Sequence, residues 1–481
     1  MPSTRLTLIK NAQQKTRVAI LFKSGGSEDP IASILTLAKN KLRLKNPERI
    51  FVEGGDEISS AEELAKVLQN DRELFISGGE DYIGLIKEEA SKDGEALKTA
   101  TIANFFQLSH VEPEALSQLE RTATLEGMRH VFGMPDLHQG NTYPIGATFV
   151  TEDRIYPALI GNDIGCGMVL YSTRLYAPRF KPQRAVERLR GVEGRWDGPI
   201  KEMMNLAGVE PTEFDELTMG TIGGGNHFAE FQHVTEVFDE SEFARANLST
   251  DCVYLLVHSG SRRLGGSILD AHTAKYKHAG LDPSSPEGQE YLRQHDNACK
   301  WAKLNREVIA RRVMEKLNAD NNALVNNEQR KVEKVLDIWH NSVEKKEWNT
   351  GTEQAKQLWV HRKGAAPSDR GLVVIPGSRG ACSFLVMPIG NQNENGYSLA
   401  HGAGRQMSRA EAKTRRVSPA QLRTTKLGSK VICDDETLLF EEAPYAYKKI
   451  DDVVRDLTEI HHFAKVVAVL TPLVTYKMRN E

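Results

Sequence analysis

Apolar and polar positions in the first eighty residues change period over short distances. Arg17-Val-Ala-Ile-Leu-Phe22 is a run of strand formers, whereas Ile31, Ile34, Leu35, Ala38 and Leu42 recur at helical spacing. Asp29-Pro30 ahead of them supplies a cap and a first-turn proline. Arg49-Ile-Phe-Val52, the turn Glu53-Gly-Gly-Asp56, a short helix near Ala61 to Leu68 and the strand Glu73-Leu-Phe-Ile76 follow. Strands around one main helix predict a small β-grasp module over residues 1–83. Residues 84–110, rich in Lys, Glu and Asp at their start, read as a linker.

Beyond residue 111 the pattern changes. A helix is predicted from Pro113 to Thr124, followed by many short apolar runs separated by Gly-rich turns. Two long stretches, Pro286 to Leu317 and Asn327 to Lys346, read as helices. The expectation for residues 111–481 is a sheet-rich α+β body with long helical insertions.

Composition narrows the class. A chain of 481 residues with 40% hydrophobic and 26% charged positions can bury a large core and is unlike a disordered protein. No apolar run approaches the ~20 residues needed to cross a bilayer. Neither a secretory signal nor a disulfide framework is apparent, because the five cysteines are scattered and odd in number. A reducing, cytoplasmic setting is expected, with a nuclear pool also compatible. The net charge of −3 argues against coating nucleic acid by bulk electrostatics. A local basic cleft remains open to Arg262-Arg263, Arg405, Arg409 and Lys413-Thr-Arg-Arg416.

The candidate chemistry centres on Gly161-Asn-Asp-Ile-Gly-Cys-Gly-Met168. Dense glycines let the backbone turn sharply and bring the Asp163 carboxylate and the Cys166 thiol to one point. Imidazoles that could join them sit in Gly223-Gly-Gly-Asn-His-Phe-Ala-Glu230, Val257-His-Ser-Gly-Ser-Arg262 and Val360-His-Arg-Lys-Gly364. Singly, each residue has a structural reading: a turn cap, a small buried hydrophobe, a core histidine. Several of the histidines sit beside Gly, Ser or Asn in segments flanked by strand-like runs, and that repetition favours a metal site. Mixed S, N and O donors suit Mn, Fe, Co or Zn better than Mg or Ca. Asp163, Cys166, His227, His258 and His361 exceed what one tetrahedral ion requires, so two ions sharing ligands fit as well as one.

His401 differs. Gly402-Ala-Gly-Arg405 follows it, then Ser408-Arg409, an environment of backbone amides and guanidinium groups suited to phosphate. An imidazole so placed can attack phosphorus and carry the group as a phosphoramidate. Pro376-Gly-Ser-Arg-Gly380, with Ser383, is a second small-residue loop able to wrap a nucleotide.

These segments resemble a known family. Met134-Pro-Asp-Leu-His-Gln-Gly140, Asp163-Ile-Gly-Cys-Gly-Met168, Gly225-Asn-His-Phe-Ala-Glu230, His258-Ser-Gly-Ser-Arg262, His361-Arg-Lys-Gly364, Pro376-Gly-Ser378 and His401-Gly-Ala-Gly-Arg405 occur in the order seen in the RtcB-type RNA ligases. Ala443-Pro-Tyr-Ala-Tyr-Lys448 and Lys477 also fit, so the likeness runs from about residue 111 to the end. Near the N-terminus, Arg49 to Ile58 and Leu74 to Glu80 resemble the second half of a doublecortin-type ubiquitin-like domain, which implies a docking module with a protein partner.

The RtcB resemblance implies a GTP- and Mn²⁺-dependent ligase joining RNA 3′-phosphate or 2′,3′-cyclic phosphate ends to 5′-hydroxyl ends, in tRNA splicing or RNA repair. It implies that Cys166 bridges two Mn²⁺ ions, with His258 and His361 completing one site and Asp163 and His227 the other. His401 would attack the GTP α-phosphorus, oriented by Asp136, with Arg405 beside it. Asn226, Glu230, Ser378, Ser383, Gly402, Ala403, Gly404, Arg405, Tyr447 and Lys477 would hold the guanylate. Asn141-Thr142 and Arg379 depart from the family pattern, and Arg379 lies in the nucleotide loop, where nucleotide preference is decided. Two alternatives use the same residues: a metal-dependent phosphoesterase with no covalent intermediate, and a non-catalytic RNA-end-binding protein.

Overall fold

The computed structural model describes residues 3–11, 17–23, 29–42, 44, 46–52, 55–68, 72–82, 100–192, 194–318, 332–348 and 355–478. It divides into two compact units, Met1–Ala96 and Leu97–Glu481. No helix among the described residues is long and apolar enough to cross a membrane.

The first unit has the β-grasp arrangement. Ser3–Lys10, a strand the hydrophobic pattern does not single out, pairs antiparallel with Arg17–Lys23 and parallel with Arg72–Ser77. Arg49–Phe51 closes the far edge. Helix Pro30–Lys41 starts where expected, with Asp29 Oδ1 accepting from the Ile31 and Ala32 amides. Its Ile34 and Ala38 are buried against Leu6, Leu8 and Leu74. The turn residues Glu53 and Gly54 lie outside the described residues, as do residue 83 at the end of the expected module and positions 84–99 of the expected linker.

The linker and the body boundary need correction at 100–110. Thr101–Asn104 is a strand paired in parallel with Met128–His138, so the body includes these residues. Helix Pro113–Thr122 follows as predicted.

Two large sheets and a two-stranded one, Ala365–Pro367 with Ser398–Ala400, make the body. The larger runs, in spatial order, Glu333–Trp339, Gly167–Tyr176, Cys252–Ser259, Phe228–Val237, Ala464–Tyr476, Ser383–Pro388 and Val373–Pro376, with Lys430–Ile432 also on Ala464–Tyr476. The second runs Asn341–Trp348, Lys356–Lys363, Ile145–Thr151, Met128–His138 and Thr101–Asn104. Central strands are buried on both faces. Tyr254 and Leu256 pack with Val150, Leu358 and Val360 of the second sheet. Val253, Leu255 and Val257 alternate with them and pack on Ile309, Val313 and Met314. Those last three lie on helix Pro286–Asn318, the predicted long helix.

The other predicted long helix is wrong. Residues 333–339 and 341–348 are strands, and 327–331 lie outside the described residues. Lys and Glu at 333–334 and 344–347 carry helix propensity, but Leu336 and Ile338 alternate into the interior at the period of a strand. Trp339 pairs in one sheet and Asn341 in the other, so the chain changes sheets at His340.

Candidate active site at the ends of four strands

Four neighbouring strands of the larger sheet each place a side chain at the same end. Cys166 immediately precedes Gly167–Tyr176, His227 immediately precedes Phe228–Val237, His258 sits near the end of Cys252–Ser259, and His340 immediately follows Glu333–Trp339. Register makes the convergence: His258 pairs with Met168 and Phe228, and Trp339 pairs with Gly167. Strands only ~4.8 Å apart bring such residues into contact.

The resulting cluster is compact. Cys166 Sγ lies 3.3 Å from both His227 Nε2 and His258 Nε2. Asp163 Oδ2 is 2.8 Å from His227 Nε2, and His258 Nε2 is 3.3 Å from His340 Nε2. Donor atoms of Cys166, His227 and His258 all lie within 4.8 Å of one another, close enough to hold a metal ion. Burial, helped by neighbouring imidazoles, pushes His258 and His340 well below the usual histidine range, which keeps them neutral and their lone pairs available. Burial alone would raise the Asp163 carboxyl, but His227 and Arg262 overcome it and hold the group low. The Cys166 thiol is raised by burial and by Asp163, an environment that a cation would reverse.

His361, expected as a ligand, is not part of this group. It sits inside the second sheet, opposite Val343 and Phe149. Its Nε2 accepts the Tyr156 amide at 2.9 Å and its Nδ1 faces the Phe149 carbonyl at 3.2 Å, so both nitrogens serve backbone. Burial pushes it down to about 3. His340 occupies the place expected of His361. An alternating strand read at 333–339 would have exposed His340 as a strand-end residue, but the helical reading hid it.

A scaffold behind the cluster was also not apparent from sequence. Arg306, fully buried on helix Pro286–Asn318, donates through Nη1 to the Gly165 and Ser259 carbonyls and through Nε and Nη2 to Asp337. Asn305 donates to the Gly260 carbonyl at 3.2 Å. The Asp163–Cys166 turn and the end of the His258 strand are thereby fixed to one helix. Gly260 admits the close approach, since a Cβ there would stand 2.2 Å from Asp163 Oδ1.

His401 adjoins this group. It follows strand Ser398–Ala400, and its ring centroid is 4.6 Å from that of His340. Asp136 Oδ2 accepts from His401 Nδ1 at 2.6 Å and from its amide at 3.1 Å. Asp136 is held in turn by Lys448, whose Nζ donates to the flanking Pro135 and Leu137 carbonyls. Gly404, at φ +70°, lets its loop lie on Asp136; a Cβ there would meet the Asp136 carbonyl at 2.3 Å.

The expected nucleotide residues divide into two groups. Glu230 is buried, accepts from Gln232 Nε2 at 2.6 Å and from Thr475, and is pushed by burial up to about 7. Gln232 also donates to Ser383 Oγ at 2.8 Å. Lys477 Nζ donates to the His227 carbonyl at 3.0 Å, tying this group to the metal-ligand cluster. Asn226 is half-buried in the loop before His227, and Ser378 Oγ accepts the Gly380 amide at 3.4 Å. Gly402, Ala403 and Gly404 are buried beside His401. Tyr447 hydrogen-bonds Glu442. Arg405, expected beside His401, is directed elsewhere. Its three nitrogens donate to Met407 O, Glu442 and Glu441 O, with the guanidinium 5.3 Å from the Tyr447 ring centroid. The buried Glu442 carboxylate and two backbone carbonyls take up its donors.

Comparison with known proteins agrees with this geometry. The family profile described as tRNA-splicing ligase RtcB matches residues 118–195 and 193–478. The chain is 43% identical over 374 residues to the RNA-splicing ligase RtcB2 of Escherichia coli, covering 76% of this chain and 93% of that protein. It is 31% identical to the RNA-splicing ligase RtcB of Escherichia coli K12, covering 73% and 92%, and 30% identical to the tRNA-splicing ligase RtcB of Archaeoglobus fulgidus, covering 76% and 91%. With the strand-end cluster, the Asp136–His401 pair and these relatives together, the chain belongs to the RtcB family.

Proposed function

We propose that this protein is an RNA ligase that uses GTP and Mn²⁺ to join RNA 3′-phosphate or 2′,3′-cyclic phosphate ends to 5′-hydroxyl ends. Family membership supports the ligase reading, and the Asp136–His401 pair beside the cluster supports the route.

The donor set fits divalent ions: one thiol, neutral imidazoles and a carboxylate converge, with Cys166 central. Cys166, His258 and His340 would hold one ion, and Cys166, Asp163 and His227 the other. Bound Mn²⁺ would neutralise the triphosphate and polarise the α-phosphorus.

With Nδ1 committed to Asp136, His401 keeps its proton there and presents Nε2 as nucleophile. Attack forms the phosphorus–nitrogen bond as pyrophosphate leaves, and Asp136 stabilises the positive charge developing on the ring. Glu230, held as an acceptor by Gln232 and Thr475, suits the N1 and N2 protons of guanine, while Lys477 suits O6. Asn226, Ser378, Ser383, Tyr447 and the Gly402 to Arg405 loop complete the guanylate site. A 2′,3′-cyclic end is first opened by water to the 3′-phosphate and a 2′-hydroxyl; GMP then passes to the RNA 3′-phosphate, and the 5′-hydroxyl displaces it to form the phosphodiester. A phosphoesterase would use the same ligands but leave the Asp136–His401 pair without a task.

The test is transfer of label. Incubation with Mn²⁺ and α-labelled GTP gives a protein-bound label that is acid-labile and alkali-stable, and His401→Ala abolishes it. Label surviving that substitution overturns the nucleophile.

A further inference from the structure

The stretch from Arg405 to Lys430 carries eight Lys or Arg and one acid, Glu411, in a chain whose net charge is −3. Exposed on it are Arg409, Lys413, Arg415, Arg416 and Lys426. Serine caps at Ser408 and Ser418 start its two short helices, Arg409–Lys413 and Pro419–Arg423, so backbone demands there are met locally. Arg405, Arg409, Lys413 and Arg423 are engaged by neighbouring segments, whereas the side chains of Arg415, Arg416 and Lys426 make no hydrogen bond among the described residues.

Where the stretch begins, it touches the catalytic cluster. Arg409 lies against the glycine loop that carries His227: a methyl group placed on Gly225 would meet Arg409 Nη2 at 3.3 Å. The Gln406 amide donates to Ala446 O, and the Lys448 amide to Gly404 O, which fastens the start of the stretch beside His401. Arg409 and Lys413, four residues apart on one helix, share a face. Both are partly neutralised, Arg409 by Glu442 and Lys413 by Glu441. Later in the stretch, Arg416 and Lys426 form no ion pair among the described residues, and Arg415 has the exposed Glu411 and Tyr445 as titratable neighbours. Unneutralised charge thus lies in the later part of the stretch, after Lys413.

We infer that the 405–430 surface is the track for the phosphate backbone of the RNA strand entering the His401 site, with Arg415, Arg416 and Lys426 as sequence-independent phosphate contacts. Point charges on an exposed surface read backbone charge and not bases. A polyanion bound there releases counterions, and its affinity falls with salt. The assignment of RNA as the polyanion rests on the ligase reading.

The test uses the full-length protein and a single-stranded RNA bearing a 3′-phosphate, with affinity measured across a salt series. Arg415→Gln/Arg416→Gln/Lys426→Gln is expected to flatten the log–log salt slope by about 2, at about 0.7 per lost contact on a single strand. Near physiological salt this corresponds to a loss of affinity on the order of tens of fold. GTP labelling of His401 stays at the wild-type level, and Arg415→Lys/Arg416→Lys, which keeps all three charges with the native Lys426, retains the wild-type slope. An unchanged slope in the Gln variant overturns the proposal, as does a loss independent of salt; in either case the surface serves some other partner, such as an acidic protein. Because labelling is read separately, failure of the ligase reading leaves a different signature: no label, with the salt response intact.

Discussion

His340 and His361 carry the same side chain, but their surroundings give them opposite roles. His340 points its Nε2 at His258, whereas His361 is bound at both nitrogens to backbone. His340→Ala is expected to lower Mn²⁺ affinity on the order of 100-fold or more, because even supporting partners of ligands cost 10–100-fold. Its melting temperature should stay near wild type. His361→Ala should retain Mn²⁺ but lose about 1–3 kcal/mol of stability, since the buried Tyr156 amide is orphaned. Calorimetric metal titration with thermal melts separates the two. Glu230 gives a pH prediction. Burial raises it to about 7, so the fold disfavours its carboxylate between the ordinary value and about 7. Below about 7 the group is protonated and loses its acceptor for guanine, so GTP affinity should rise as pH passes upward through that value. Glu230→Gln should bind GTP weakly with little pH dependence in the same window, measured by nucleotide titration.

At the scale of elements, four strand ends bring together residues that are distant along the chain. Cys166 and His227 were legible in the sequence because both sit in Gly-rich segments beside strand-like runs. His258 was legible for the same reason. His340 was not, because its strand is short, partly charged, and specified by pairing with Gly167–Tyr176 that no local pattern reports. Arg306 was hidden differently: on a long helix an arginine reads as solvated, and only the packing shows it buried on Gly165, Ser259 and Asp337. Arg306→Ala should destabilise the body by about 3–5 kcal/mol, because it strands a buried Asp337 carboxylate. Arg306→Ala/Asp337→Ala should recover part of that loss in denaturant unfolding. Recovery absent from the double variant would mean that the carbonyl contacts, and not the ion pair, carry the stability.

For the whole molecule, every residue assigned to the cluster and to the nucleotide belongs to the unit Leu97–Glu481. The module of the first unit was readable because its helix is capped and periodic and three of its strands are short runs of strand formers; Ser3–Lys10, which alternates polar and apolar residues, was not singled out. The first unit contributes no residue to the cluster or to the nucleotide site. A chain beginning at Leu97 should therefore take up GTP label as the full-length protein does; loss of labelling would require the module for catalysis. The most direct measurement of the central claim is anomalous diffraction from a Mn²⁺-loaded crystal. The expected result is two peaks that share Cys166 Sγ as a ligand, one completed by His258 and His340, the other by Asp163 and His227. Manganese bound at His361, or none within coordinating distance of Cys166, would contradict the account.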